Sequence, residues 1–317
     1  VVPLDEVSQH MKNAVVAIED KRFYEHGGVD IEGTTRAAIN NATGGAKQGG
    51  SSLTQQYVKN VLIEQAVRDE DPIAVEAVKE SSIERKAREA KLAISLEKRM
   101  TKDEILQGYL NIAQFGIRVY GVETASQHYF GKHAADLSIV EAATIAGVTN
   151  APGAYDPVSN PVDSEKRRNL VLGRMLDQDY ITQQEHDEAV ATPLPDTLNV
   201  QPVTVGCQSA NGAAFFCDYV TKVITSDPIF GETPKERQAL LYRGGLDIVT
   251  TLDPRLQTAA ETEVTSAIPA SDPSGIENAL VTVEPGTGKI LAMAQNRPYD
   301  ASLEAAPGTT AQNYSTD

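Results

Sequence analysis

A chain of 317 residues has room for about two domains of ordinary size, each with its own core. Its 44 acidic side chains outweigh 28 basic ones for a formal charge of −16, which excludes a global electrostatic surface for nucleic acid. No run approaches the roughly 18 apolar residues that cross a bilayer, and Trp is absent, so neither a membrane helix nor a Trp belt is expected within these residues.

The chain opens at Val1 rather than Met, so an upstream segment carrying any signal or anchor is expected. Apolar positions recurring at three and four predict helices through about residue 190. Ser81-x-x-Glu84, Thr101-x-x-Glu104, Ser138-x-x-Glu141 and Thr182-x-x-Glu185 read as capping boxes that start four of them. The first apolar helical stretch, Ala14 to Ile18, runs without a break into Glu19-Asp20-Lys21-Arg22-Phe23-Tyr24-Glu25-His26. A carboxylate beside such low-dielectric surroundings is a candidate general base, and Glu19 is the first choice. Pairing of Glu19 and Asp20 with Lys21 and Arg22 on a solvated surface fits the same spacing. His26, alone before two glycines, reads equally as a hydrogen-bonded structural histidine. Gly-Gly pairs between Gly27 and Ser52 predict a mobile loop that acts as a substrate flap.

The segment "GGSSLTQQYVKN", Gly49 to Asn60, opens a helix with glycines and hydroxyls, a pattern that favours an anion. It is not a P-loop, because Gly50 stands where GxxxxGKS/T needs lysine and no strand precedes it. Ser52, Gln56, Lys59 and Asn60 fall on one face, as either a binding surface or a solvated stripe. In "SSIERKAREAKLAISLEKRM", Ile83, Ala87, Ala90 and Ile94 mark one apolar face and Leu92 with Leu96 a second, which predicts a largely buried helix. Glu89 then sits among Arg85, Lys86 and Arg88, and the surplus of cations suits a diphosphate, although a buried ion-pair cluster has the same composition. Ser95-Leu96-Glu97-Lys98 matches SxxK only by letters, since it lies mid-helix without a following KTG, and Ser209-Ala210-Asn211 matches SxN as emptily.

Prolines 152, 157 and 161 mark a connection inside the first domain, and Pro193, Pro195 and Pro202 mark its end. Cys207 and Cys217, with nine residues between them, fit neither a CxxC pair nor a zinc pattern. They either close a small disulfide loop in an oxidising compartment or remain two thiols. "GLDIVTTLDPRLQ" reads as a β-branched run entering a helix after Asp253-Pro254, and "ALVTVEPGTGKILAMAQ" as a hairpin around Gly286-Thr287-Gly288.

Five blocks carry a family resemblance: "EDKRFYEHGGVD", "GGSSLTQQYVKN", "RKAREAKLAISLEK", "ILQGYLNIAQFGIRVYGVETASQHYFGK" and "LSIVEAATIAGVTNAPGAYDP". In this order, over about Glu19 to Pro157, they resemble the peptidoglycan glycosyltransferase module, glycosyltransferase family 51, of class A penicillin-binding proteins. The later "GLDIVTTLDPRLQ" and "ENALVTVEPGTGKILAMAQN" resemble the opening of the penicillin-binding transpeptidase domain, whose SxxK, SxN and KTG are expected after residue 317. The resemblance implies a mainly α, lysozyme-like glycosyltransferase domain over 1–193, an interdomain linker over 194–243, and the N-terminal part of an α/β transpeptidase domain over 244–317. It implies polymerisation of lipid II into glycan strands, with inversion and release of undecaprenyl diphosphate, at the outer face of the cytoplasmic membrane. Glu19 corresponds to the general base and Glu89 to a second essential carboxylate that assists the leaving diphosphate, directly or through a divalent cation, Mg or Mn; no organic cofactor is implied.

Lys59, Arg85 and Lys86 correspond to diphosphate-binding cations, Ser51, Ser52, Gln56 and Asn60 to the polar wall, and Asp20, Phe23 and His26 to the acceptor side. Implied partners are lipid II, the growing strand, the membrane through an upstream anchor and the cell-wall synthesis machinery. Departures are mild: Ser-Ser-Leu at 51–53 replaces the commoner Ser-Thr-Ile or Ser-Thr-Leu, and Ser126-Gln127-His128 replaces Ala-Ala-x. A glycoside hydrolase would share two carboxylates but leave Lys59 and Arg85 idle, and a wall-binding scaffold would not need Glu19 and Glu89.

Overall fold

The computed structural model describes residues 1–35, 50–69, 71–80, 82–201, 206–210, 212–302 and 305–316. They form two compact units, Val1–Val203 and Thr204–Asp317. The segment 194–243, read from sequence as a linker, is divided between them: it has its own helices, and the later ones pack into the second unit.

The first unit is built from helices. Ser8 caps α1 (Gln9–Glu19) by accepting from Met11 N, and α1 buries Met11 and Ala14 to Ala17. Residues 31–35 are helical (α2). They are followed by α3 (Leu53–Arg68), α4 (Pro72–Lys79), α5 (Ile83–Leu96) and α6 (Lys102–Ile112). Next come a short hairpin of β1 (Gln114–Gly116) and β2 (Val119–Tyr120), then α7 (Val122–Phe130), α8 (Ile139–Val148), α9 (Pro161–Leu176), α10 (Gln183–Ala191) and the single turn α11 (Leu194–Thr197).

The apolar helix α8 is the centre: Glu141 to Val148 are all buried, and α1 and α9 pack against it. Its small residues set that closeness. A Cβ on Gly147 would meet Arg167 Cγ at 3.1 Å and the α9 backbone at 3.6 Å, so even alanine there would require the Arg167 side chain to shift. A second group, α4, α5 and α6, packs on α3. The core joins the two through Phe23, Leu53, Ile105, Tyr109 and Phe115.

Capping boxes close at Thr101, Ser138 and Thr182 as the sequence suggests. The one read at Ser81 lies outside the described residues. The N-cap of α5 is Ser82, which accepts from Arg85 N. Nor is α5 largely buried: only Glu89 and Ala93 are, while Ile83 is 89% exposed and Leu92 and Ile94 are also exposed. Two apolar stripes separated by charges cannot both face α3, so the helix buries the side bearing the carboxylate.

In the second unit, Cys207 and Cys217 form a disulfide that ties a short turn to the start of α12 (Ala214–Ser226). Arg237 fastens α13 (Pro234–Arg243) to α12 by donating to Thr225 O at 2.7 Å. Asp253 caps α14 (Pro254–Ala267), whose Ala260 and Val264 pack on the hairpin of β3 (Ala279–Val283) and β4 (Ile290–Gln295). The Gln257 amide bonds both ways to the Met293 backbone, at 2.9 Å in each direction, which seats α14 on β4. The β-branched run before Asp253 forms no strand; it is hydrogen-bonded to β4 by Thr251 Oγ1 to Ile290 O and Asp253 N to Leu291 O, and Leu252 packs on the cluster around Met293.

Candidate active site

Glu19 is the last residue of α1, where the buried face of the helix meets the surface. Its Oε2 accepts from Gln56 Nε2 at 2.8 Å, and its Oε1 from Thr149 Oγ1 at 2.7 Å. Gln56 lies in the first turn of α3 and Thr149 just after α8, so three elements converge on one half-buried carboxylate. Tyr109 of α6 lies behind it, with Oη donating to Gln56 Oε1 over a long 3.4 Å. Burial first, and the nearby Glu19 charge second, hold this phenol well above its ordinary pKa, so it stays protonated.

Asp20, Phe23 and His26 shape the site from beneath. Asp20 is 6% exposed; its Oδ2 accepts from Leu53 N and from His26 Nε2, both at 2.9 Å, tying the end of α1 to the start of α3. Phe23 is fully buried, with the Lys102 ammonium 4.6 Å above its ring. Ser52 is the N-cap of α3 in a full capping box with Gln55, and its hydroxyl donates to Gly28 O at 2.6 Å. Gly28 has φ +87°, and a Cβ there would lie 2.7 Å from the Ala93–Ile94 backbone, so the loop touches α5 only because this residue is glycine.

The charged part of the site lies on α3 and α5. Glu89 is 1% exposed, with Arg85 Nη1 against Oε1 and Lys86 Nζ 3.2 Å from Oε2 as an ion pair without hydrogen-bond alignment. Lys86 also donates to Ser51 Oγ. Lys59, one turn beyond Gln56 on α3, is half-buried and has no hydrogen-bond or ion-pair partner among the described residues. Burial, then the charges of Arg85 and Lys86 against a smaller pull from Glu89, lower its pKa. Asn60 is half-buried beside it, and Arg88 is exposed, outside the cluster.

Three cations around one buried carboxylate leave positive charge to be matched by an anion, and a diphosphate meets that need. The same donor set does not fit a resident divalent cation. Mg or Mn asks for several oxygens, whereas Glu89 is engaged by a guanidinium and an ammonium, and among the described residues no three His, Cys, Asp or Glu gather.

The sequence-selected residues thus group as a carboxylate with its wall, Glu19 and Gln56, a buried fastening of Asp20, Phe23, His26 and Ser52, and a cation cluster with Ser51. The glycine-rich flap falls mostly on 36–49, outside the described residues. Thr149 and Tyr109 escaped the sequence reading. Thr149 lies 130 residues from Glu19, and no local pattern links them.

The profile of the family described as Transglycosylase matches residues 1–176. Penicillin-binding protein 2D of Bacillus subtilis (strain 168) is 34% identical over 302 residues, covering 95% of this chain and 40% of the relative. Penicillin-binding protein 1A of Aquifex aeolicus (strain VF5) is 38% identical over 261 residues, covering 82% of this chain and 32% of the relative. The crystal structure of penicillin-binding protein 1A from Haemophilus influenzae is matched at 32% identity over 53% of this chain and 22% of that chain, with a TM-score of 0.32. The chain spans two fifths or less of the length of these relatives.

Proposed function

This chain belongs to the transglycosylase family, and from that membership we propose that it is a peptidoglycan glycosyltransferase polymerising lipid II. The observation that carries this reading is one face of α3: Gln56 there holds Glu19, and Lys59 one turn on borders the Glu89, Arg85 and Lys86 cluster. One rigid helix thereby fixes the spacing of a base and an anion clamp, which joining a sugar to a lipid diphosphate requires.

Glu19 takes the proton of the acceptor's sugar 4-hydroxyl as that oxygen attacks the donor's anomeric carbon. The bond from that carbon to the diphosphate breaks on the opposite face, which gives inversion, and undecaprenyl diphosphate leaves with the electron pair. Lys59, Arg85 and Lys86 neutralise the charge that builds on the leaving oxygens. Glu89 holds Arg85 and Lys86 in place until the diphosphate competes for them. No step is assigned to a metal. A hydrolase would have no use for a lysine beside this cluster that has no partner among the described residues.

The same helices support a membrane setting. Ile73 of α4 and Ile83 of α5 are 81% and 89% exposed, and Val61, Val67, Leu92 and Ile94 are exposed on α3 and α5. An apolar surface on the elements that bear the cations suits a substrate with a diphosphate head and a polyprenyl tail, presented at the outer face of the cytoplasmic membrane. No helix among the described residues is long and apolar enough to cross the membrane. The second unit, by its sequence blocks, opens a transpeptidase domain in the longer protein, and the cell-wall synthesis machinery is the corresponding partner.

Labelled lipid II supplied in detergent, with products resolved on a gel, tests the reading. Long strands are expected from the wild type, and a loss of at least about a hundredfold from Glu19→Gln and from Glu89→Gln. Full activity in Glu19→Gln would overturn the base, and soluble muropeptides released from polymer would turn the enzyme into a hydrolase.

A further inference from the structure

Thr149 Oγ1 stands at a crossing. It lies 2.7 Å from Glu19 Oε1 and 2.7 Å from the Ala146 carbonyl oxygen. It is the one donor to Glu19 Oε1 among the described residues; Gln56 serves Oε2. A hydroxyl has a single proton to donate, so it serves Glu19 or Ala146, never both.

We infer that Thr149 is the positioning residue of the base, its hydroxyl donating to Glu19 while the carboxylate is ionised and turning to the Ala146 carbonyl once Glu19 has taken up a proton. The inference rests on Glu19 being the general base. In the transfer step the acceptor's O–H bond breaks, its proton passes to Glu19, and the freed oxygen forms the new bond to the anomeric carbon while the diphosphate departs with its electron pair. Glu19 then offers a much weaker acceptor, and Thr149 has another acceptor at the same distance. The carboxylate is therefore held in place before the reaction, and its neutral product form leaves no hydroxyl proton stranded.

Other charged groups around Glu19 leave this role to Thr149. Asp20, next to it on α1, is committed to His26 and Leu53 N. Tyr109 from α6 stays protonated. On the helices packed against α1, Glu141 of α8 pairs with Lys132, while Arg167 of α9 stacks on Tyr155 and Arg168 donates to Thr192 O.

The test is kcat and KM for lipid II polymerisation across pH in Thr149→Val and Thr149→Ser. Val is expected to lower kcat about tenfold with KM nearly unchanged and to move the acid limb of the kcat profile up by about one pH unit, the worth of one hydrogen bond to a carboxylate. Ser is expected to restore both. An acid limb in Val that coincides with wild type, or a Ser variant as impaired as Val, overturns the assignment. Titration of 13C-labelled Glu19 by NMR gives a second readout without turnover, with the same upward shift expected in Val, or in Thr149→Ala if Val does not fold; an unmoved midpoint rejects the proposal. If Glu19→Gln still polymerises, the base itself is wrongly assigned, whereas an inactive Glu19→Gln beside a wild-type Thr149→Val refutes the Thr149 role alone.

Discussion

Lys59 is the residue whose placement is hardest to explain by stability. A half-buried ammonium beside Arg85 and Lys86, without a partner among the described residues, disfavours the folded state. Its lowered pKa means that the folded protein binds fewer protons than the unfolded chain between the depressed value and the ordinary lysine range, so stability rises with pH across that window. At neutral pH Lys59 is charged in both states and the full penalty applies. Lys59→Met is therefore expected to raise stability at pH 7 by about 0.5 kcal/mol, a small figure because solvent screens a partly exposed ammonium. The gain should shrink as pH climbs toward the lysine range. The same variant should lose about ten- to a hundredfold in polymerisation, the value of a charge-assisted contact to phosphate. Denaturant melts at pH 7 and pH 10 check the first part, and a destabilised Lys59→Met would refute it. The meeting of Glu89 with Arg85 and Lys86 was legible in sequence because i, i+3 and i, i+4 spacings on one helix put them together. Thr149 was not, because its partner is brought to it by the packing of α1 on α8 rather than by local pattern.

At the scale of elements, the position of α5 decides whether the cation cluster exists, and Gly28 decides the position of α5. At φ +87° any other residue is strained, and its Cβ would lie 2.7 Å from the Ala93–Ile94 backbone, which cannot move aside as a side chain would. Gly28→Ala is expected to cost about 2–4 kcal/mol and to reduce polymerisation by displacing Arg85, Lys86 and Glu89 together. Gly27 is the control: a Cβ there meets nothing within 4 Å, so Gly27→Ala should change stability by less than about 0.5 kcal/mol. Equal melting temperatures for the two variants would sink the argument. Helix α5 is also where sequence reasoning misjudged burial. Its period gave two apolar stripes, but α3 covers only one side, and the side turned inward is that of Glu89, which pairs with Arg85 and Lys86 while Lys86 also donates to Ser51. Periodicity locates a helix and its faces. Which face is buried depends on a neighbour distant in sequence, and here the apolar residues left outside are Ile83, Leu92 and Ile94.

The whole molecule is two cores in one chain. Every residue of the larger core belongs to Val1–Val203, and the clusters around Ala260 and Phe215 belong to Thr204–Asp317. The texture change near the second proline group was readable in sequence, but the last turns of the first unit were not. Leu194 is fully buried and its N–H donates to Glu165 at 2.7 Å, so the chain stays with α9 past Pro193. The disulfide bears on one core only. Closing the short loop from Cys207 to Cys217 restricts the unfolded chain by about 2–3 kcal/mol. In a unit of this size that corresponds to roughly 10–15 °C in melting temperature. Calorimetry should show two transitions, of which reduction, or Cys207→Ser with Cys217→Ser, lowers only the one assigned to the second unit. Strand synthesis should persist under the same reducing conditions, because the partners described for Glu19 and Glu89 all belong to the first unit. A fall in both transitions together, or loss of polymerisation on reduction alone, would mean that the first unit depends on the second for its stability and that the base and the anion clamp are not held by the first core alone.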